Sequence, residues 1–169
     1  IECAIAGGSI TISGVSNPAG TIVAMKTMSA GTKVLFSEVI AKFVRMASVT
    51  DAGTTVTIQS STFDRNEVSG NSVAVNIGSV EQGASVSLAA STITAISATA
   101  SCASAAIAFD CAAIDATSVV RVTSGTKLKA VSRTSCGNGQ VTSAIAIRVV
   151  GDSLGELSVE SGVSLAAWG

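Results

Sequence analysis

The sequence predicts an all-β fold: a single parallel β-helix (β-solenoid) of about five coils, with one short helix near 37–47 left open. Three observations lead there. A unit of about thirty residues recurs along the chain. Two strand-like motifs within that unit change their spacing together. The apolar mass is Val, Ile, Ala and Leu alternating with Ser and Thr, which suits a pleated surface, while aromatic residues are only 3% of the 169.

In chain order, Ile10–Ile12 reads as a short strand, followed by a Ser-Asn-Pro-Ala-Gly turn around Pro18. A weak first copy is MSAGTKV, Met28 to Val34, whose Gly31-Thr32-Lys33 is echoed by Gly125-Thr126-Lys127. The next stretch, FSEVIAKFVRMA, supports two readings. Phe36, Val39, Ile40, Phe43, Val44 and Ala47 follow helical spacing with Ser37 as an N-cap, whereas a strand would place Val44 and Met46 in the columns of the second motif.

The first motif recurs as VTIQSSTF from Val56, VSLAASTI from Val86, VRVTSGTKL from Val120 and LSVESGVSL from Leu157, at spacings of 30, 34 and 37. The second motif is NSVAVNI from Asn71, AAIAFDC from Ala105 and SAIAIRV from Ser143. Strict alternation assigns its inward columns as Val73, Ile107, Ile145; Val75, Phe109, Ile147; and Ile77, Cys111, Val149. The step from the second motif to the next first motif stays at 15, 15 and 14 residues, while the step from first to second grows from 15 to 19 to 23. Insertions therefore fall on one edge, as solenoids vary. A final strand-like stretch, Val163–Ala167, has no polar cap.

The charge balance excludes several function classes. Charged residues are 12% with net charge −1, so there is no electrostatic footprint for nucleic acid and no basic run for a membrane surface. Histidine is absent, which removes the usual general base and the commonest metal ligand, and no cofactor or metal is expected. The uncharged run Gly83–Phe109 is long enough for a bilayer, but nine of its residues are Ser or Thr, so no membrane insertion is expected. The chain opens at Ile1 with neither an initiator Met nor a basic leader, which reads as a processed or excised piece, 1–169 forming one domain.

Four cysteines match no zinc spacing. Cys102 lies 14 residues after Leu88 and Cys136 lies 14 after Val122, so they hold equivalent loop positions on adjacent coils and are expected to form a disulfide in an oxidising compartment. Cys111 falls on an inward column as a small hydrophobe. Cys3 is left to pair with Cys111 or with a neighbouring chain.

The run Phe63-Asp64-Arg65-Asn66, then Ser69-Gly70-Asn71-Ser72-Val73, resembles the FxxN…GGAI repeat of right-handed parallel β-helix surface proteins, the polymorphic outer-membrane and autotransporter adhesins, with Asn71-Ser72 standing where that repeat has paired glycines. The Ala/Val/Ser-rich texture is also similar to the trypanosome dispersed gene family surface proteins. The resemblance implies an extracellular or cell-surface solenoid used for adhesion or structure.

The expected function is a non-enzymatic structural or adhesive module. Its partners are a surface glycan or protein, or further copies stacked end to end on uncapped strands. The candidate binding loops are Asp64–Asn71, with Asp64, Arg65 and Asn66; Thr94–Ser104; and Val131–Ser143, with Arg133 and Asn138. Two alternatives remain. A pectin-lyase-like polysaccharide enzyme would draw on Asp110, Asp115, Arg121, Arg133 and Asp152. An ice-binding protein would use a column of Thr32, Thr62, Thr92 and Thr126. On the outer side of the second strand, Asn76, Asp110 and Arg148 share a column, where a cross-rung pair contributes roughly 0.2–1 kcal/mol.

Overall fold

The computed structural model describes residues 2–18, 22–68, 70–98, 104–133, 143–150 and 155–168. It is a parallel β-solenoid of three sheets, and no helix occurs among the described residues. Sheet A stacks β1 (Glu2–Ala6), β3 (Ile22–Ser29), β6 (Phe43–Val49), β9 (Ser72–Val80), β12 (Ala105–Ile114) and β15 (Ser143–Val149). Sheet B stacks β2 (Ser9–Ser13), β4 (Lys33–Ser37), β7 (Thr55–Gln59), β10 (Ser85–Ala89), β13 (Val119–Val122) and β16 (Glu156–Val159). Sheet C stacks β5 (Ile40–Ala41), β8 (Thr62–Glu67), β11 (Thr92–Ser97), β14 (Lys127–Ser132) and β17 (Ser164–Trp168). Each coil runs A, B, C, so β3 to β17 make five full coils, preceded by β1 and β2.

The repeat sets the register. Val56, Val86, Val120 and Leu157 stack in sheet B, and Phe63, Ile93, Leu128 and Leu165 stack in sheet C. The first motif is thus two strands around a corner, and with the second motif each coil has three strands. Val34, Val56, Ile58, Phe63, Val75, Ile77, Leu88, Ile93, Phe109 and Leu128 are fully or almost fully buried in one continuous core. Equivalent residues about 4.8 Å apart bury one another's faces coil after coil.

The open segment at 37–47 is strand. Glu38 takes a left-handed φ of 56° and turns the chain between β4 and β5, and Lys42 alone turns it again between β5 and β6. Two corners so close together give strands the outward look of helical spacing. Phe36, Val39, Val44 and Met46 are buried, whereas Ile40 is 41% exposed. Val44 and Met46 pair with Val75 and Ile77, as the strand reading requires.

One inward column is mixed. The pairs Val73–Ile107 and Ile107–Ile145 form as expected and Ile107 is buried, but Val73 and Ile145 are only half-buried, and Ala74, Ala106 and Ala108 also enter the core at this level. Ala74 with Val75, and Ala108 with Phe109, are consecutive residues that both enter the core, so strict alternation breaks there.

The four threonines do not form a column. Thr32 precedes β4 at the A–B corner, and Lys33 pairs with Thr55, so Thr54 is its equivalent. Thr62 and Thr92 are paired in sheet C, where the next member is Lys127. Thr126 instead follows Ser61 and Ser91 at the B–C corner. The echo between residues 31–33 and 125–127 therefore links two different corners. Among the expected features, this removes the array on which the ice-binding alternative stood.

The corners are held by side chains from the following coil. The Gly7 N–H donates to Thr32 Oγ1 at 2.9 Å, Gly31 N–H to Thr54 Oγ1 at 3.1 Å, and Gly83 N–H to Ser118 Oγ at 3.1 Å. At the B–C corner, Val39 N–H donates to Ser61 Oγ at 3.1 Å and Ser61 N–H to Ser91 Oγ at 3.2 Å. Carboxylates act in the same way: Ala30 N–H donates to Asp51 Oδ2 at 2.8 Å, and Gln82 N–H to Asp115 Oδ2 at 2.5 Å. Corner donors that the ladders leave over, the buried ones at Val39 and Ser61 included, are thereby satisfied.

Two outcomes follow. A Cβ on Gly78 would lie 2.0 Å from the Ala47 carbonyl oxygen of the coil below, so Gly78→Ala forces neighbouring rungs apart and is expected to cost roughly 1–3 kcal/mol or more in urea unfolding. The Gln82 N–H, with Ser118 and Thr117, holds the Asp115 carboxyl at about 2, below its ordinary 3.8. A lowered folded-state pKa gives stability present above the unfolded value and lost as pH falls through the folded one. Stability should therefore decline between pH 4 and pH 2, and Asp115→Asn should flatten that part of the curve, read by urea midpoints across the range.

Candidate functional site

The connections from sheet C back to sheet A lengthen by three residues at every coil: residue 42 alone, then 68–71, 98–104 and 133–142. The strands of sheet C lengthen at the same place. β5 ends at Ala41, which pairs with Phe63, so β8 runs on past it with nothing of β5 beneath residues 64–67. A step results between the first and second full coils.

Arg65 sits on that step. In the register of sheet C it shares a column with Ala95 and Ala130, both fully buried. With no rung beneath it, its guanidinium lies over the Phe43 ring, 4.3 Å from the centroid. Its Nε donates to Glu67 Oε1 at 2.9 Å and its Nη1 to the Val73 carbonyl at 3.1 Å. Lys42 Nζ approaches the same Glu67 oxygen at 3.2 Å. Partial burial pulls the Glu67 carboxyl up, but the bonds from Arg65 and Lys42 outweigh it and hold the group below its ordinary value.

Beside the step, the outer face of sheet A carries a polar column. Ala24, Arg45, Asn76, Asp110 and Arg148 follow one another in register. Arg148 grips Asp110 bidentately, Nε to Oδ1 and Nη2 to Oδ2 both at 2.8 Å, and the Asn76 amide donates to Oδ2 at 3.0 Å. The bonds to Asp110 raise the Arg148 pKa above its ordinary value. Arg45 is exposed and has no ion-pair partner among the described residues. Two shallow depressions meet at Arg45: one of about 260 Å³ bounded by Phe43, Arg45, Arg65, Val73 and Asn76, the other of about 250 Å³ bounded by Ala24, Lys26, Arg45 and Ala47.

The sequence-predicted residues separate on this frame. Asp64, Arg65 and Asn66 belong to strand β8 and not to a loop; Asp64 and Asn66 face solvent, and Arg65 faces the step. Thr94–Ser97 and Val131–Ser132 likewise belong to β11 and β14. β-pairing with the next coil extends each strand beyond the point where the core ends. Arg133 is exposed directly after β14, its N–H donating to the Ser97 carbonyl at 2.9 Å. Asn138, Asp152, Cys102 and Cys136 lie outside the described residues, and with them the expected disulfide. The register that motivated the disulfide, Leu88 opposite Val122, is present. Cys111 is a free thiol buried in the core, not paired with Cys3, and burial pushes it up to about 11.

The acids and cations proposed for polysaccharide chemistry stay apart. Asp110 is on sheet A and locked to Arg148, Asp115 caps a corner, Arg121 is on sheet B and Arg133 follows sheet C. Arg45 and Phe43 were missed as site residues. The signal was in the sequence: the one-residue turn at Lys42 against the longer turns of later coils.

Comparison with family models, curated proteins and solved structures returns no match.

The Asp110 side chain is 9% exposed and that of Arg148 is 39% exposed, so the pair gains more than a fully solvated one. A double-mutant cycle with Asp110→Ala and Arg148→Ala should give a coupling of about 1 kcal/mol. Arg148→Ala alone should be the costlier single change, because it leaves a nearly buried carboxylate with one amide donor. Urea midpoints of the four proteins check both statements.

Proposed function

We propose that this chain is a non-enzymatic, extracellular structural or adhesive β-solenoid that presents a recognition surface along the C–A edge. The observation that carries this reading is the contrast between the two kinds of chain in each coil. The strands stay in parallel register from coil to coil, while the largest and most regular variation in length falls on one edge. A rigid frame with lengthening connections on one side is how solenoids build extended binding surfaces. The likeness of residues 63–73 to adhesin repeats supports the same assignment, including its place at a cell surface.

The purified chain, immobilised, should capture a surface glycan or protein saturably from an array of extracellular ligands. It should release no product from acidic polysaccharides. Release of unsaturated or reducing ends that is abolished by Asp110→Asn would overturn this reading in favour of a pectin-lyase-like enzyme.

Self-association is a second reading, favoured by the last described coil. Leu157 and Val159 continue the columns of Val120 and Val122 yet are 38% and 43% exposed, with Leu165 at 51% and Trp168 at 65%. At the other end Ile10 and Ile12 head the same two columns, so a second copy stacked in register would set Ile10 on Leu157 and Ile12 on Val159. Sedimentation velocity over a concentration series should show mass growing with concentration and Leu157→Lys restoring a monomer. A mass independent of concentration would rule this reading out.

A further inference from the structure

We infer that the step between the first and second full coils is a docking site for an acidic peptide segment of a partner protein, with Arg45 receiving the carboxylate. This deepens the reading of the C–A edge as a recognition surface and rests on it.

Charge comes first. Around the step, Arg65 and Lys42 share the single carboxylate of Glu67, and Arg148 is neutralised by Asp110. Arg45 has no such partner among the described residues, and both depressions open onto it. They therefore share one uncompensated guanidinium, which complements an anion. A guanidinium presents donors in a planar fork that matches a carboxylate.

Shape and polarity narrow the ligand. The walls are Phe43 and Val73 in one depression and Ala24 and Ala47 in the other, while cations stand at the rims. Such walls accept the methylene stem of an acidic side chain and leave the hydroxyls of a sugar ring without partners. Asn76 adds a second polar contact of known sense. Its amide N–H₂ is committed to Asp110, so its oxygen remains as an acceptor for a peptide N–H. Carboxylate on Arg45, stem against Val73 and backbone N–H on Asn76 together describe one acidic residue of an extended chain. Each depression, at about 250 and 260 Å³, is of the size for one side chain.

The rim is also preorganised. Arg65 is fixed by Phe43, Glu67 and the Val73 carbonyl, and Asn76 by Asp110, so docking orders little beyond Arg45 itself.

The test is a fluorescence-anisotropy titration of the full chain with a labelled alternating Glu/Ala hexapeptide. The Gln/Ala hexapeptide and an oligoglucuronate of equal charge serve as comparisons. The Glu peptide should bind at least tenfold more tightly than the Gln peptide and the oligoglucuronate, and should weaken as salt rises. Arg45→Gln should weaken it at least tenfold, with circular dichroism and urea midpoint unchanged, and Arg121→Gln, at another exposed arginine, should not. Absence of peptide binding, indifference to Arg45→Gln, or tighter binding of the oligoglucuronate would each overturn the proposal. Persistence of array binding by the whole chain in those cases would show that the subsite fails while the recognition edge stands.

Discussion

The fold depends on how its corners dispose of backbone N–H groups. Parallel ladders satisfy the straight segments, but each coil turns three times, and at a turn the peptide N–H points along the axis with no strand partner. The side chains of the next coil supply the acceptors: Thr32 for Gly7, Thr54 for Gly31, Ser61 for Val39, Asp51 for Ala30, Asp115 for Gln82 and Ser118 for Gly83. Every coil is thus incomplete without the one that follows. This explains why small hydroxyl residues sit fully buried in a chain with so apolar an interior, and why substitution at a corner acts on the coil before its own.

From that constraint the rest of the molecule follows. Corners fixed in register hold the strands in register, and strands in register stack Val, Ile, Leu and Phe into one core. The core in turn leaves the C–A edge as the place where chain length changes most, with the ladders undisturbed. The step at Arg65 is the first product of that freedom. Its guanidinium occupies a position that later coils fill with alanine, and it is supported from below by an aromatic ring where a further strand would otherwise lie.

Much of this was legible in the residues. The spacing of Val56, Val86, Val120 and Leu157 specified the pairing of sheet B, and Asn76, Asp110 and Arg148 were aligned from alternation alone. What misled was local geometry that no period records. Left-handed φ at Glu38, Ser60 and Ala90 compresses the B–C corner to two residues, so 37–47 imitates a helix and the sixty-odd stretch looks like one strand. Alternation breaks at Ala108–Phe109 without a glycine or proline to mark it, so Ala106 and Ala108 enter the core beside Ile107 and Phe109. The threonines at 32, 62, 92 and 126 share a neighbour in sequence but not a corner, because one corner type changes from two residues to four with Gly125. The step itself is a difference between coils, and a method that looks for sameness passes over it.

The steady growth of the C–A connections has a consequence for anything that lies along the edge. A solenoid with identical coils offers a ruler without numbers: a long ligand shifted by one rung meets the same surface again. Here each rung differs from its neighbour by three residues, so the edge is a staircase with a bottom and a top. A partner spanning several rungs can occupy it in one direction and at one height. The molecule gains polarity and address from length alone.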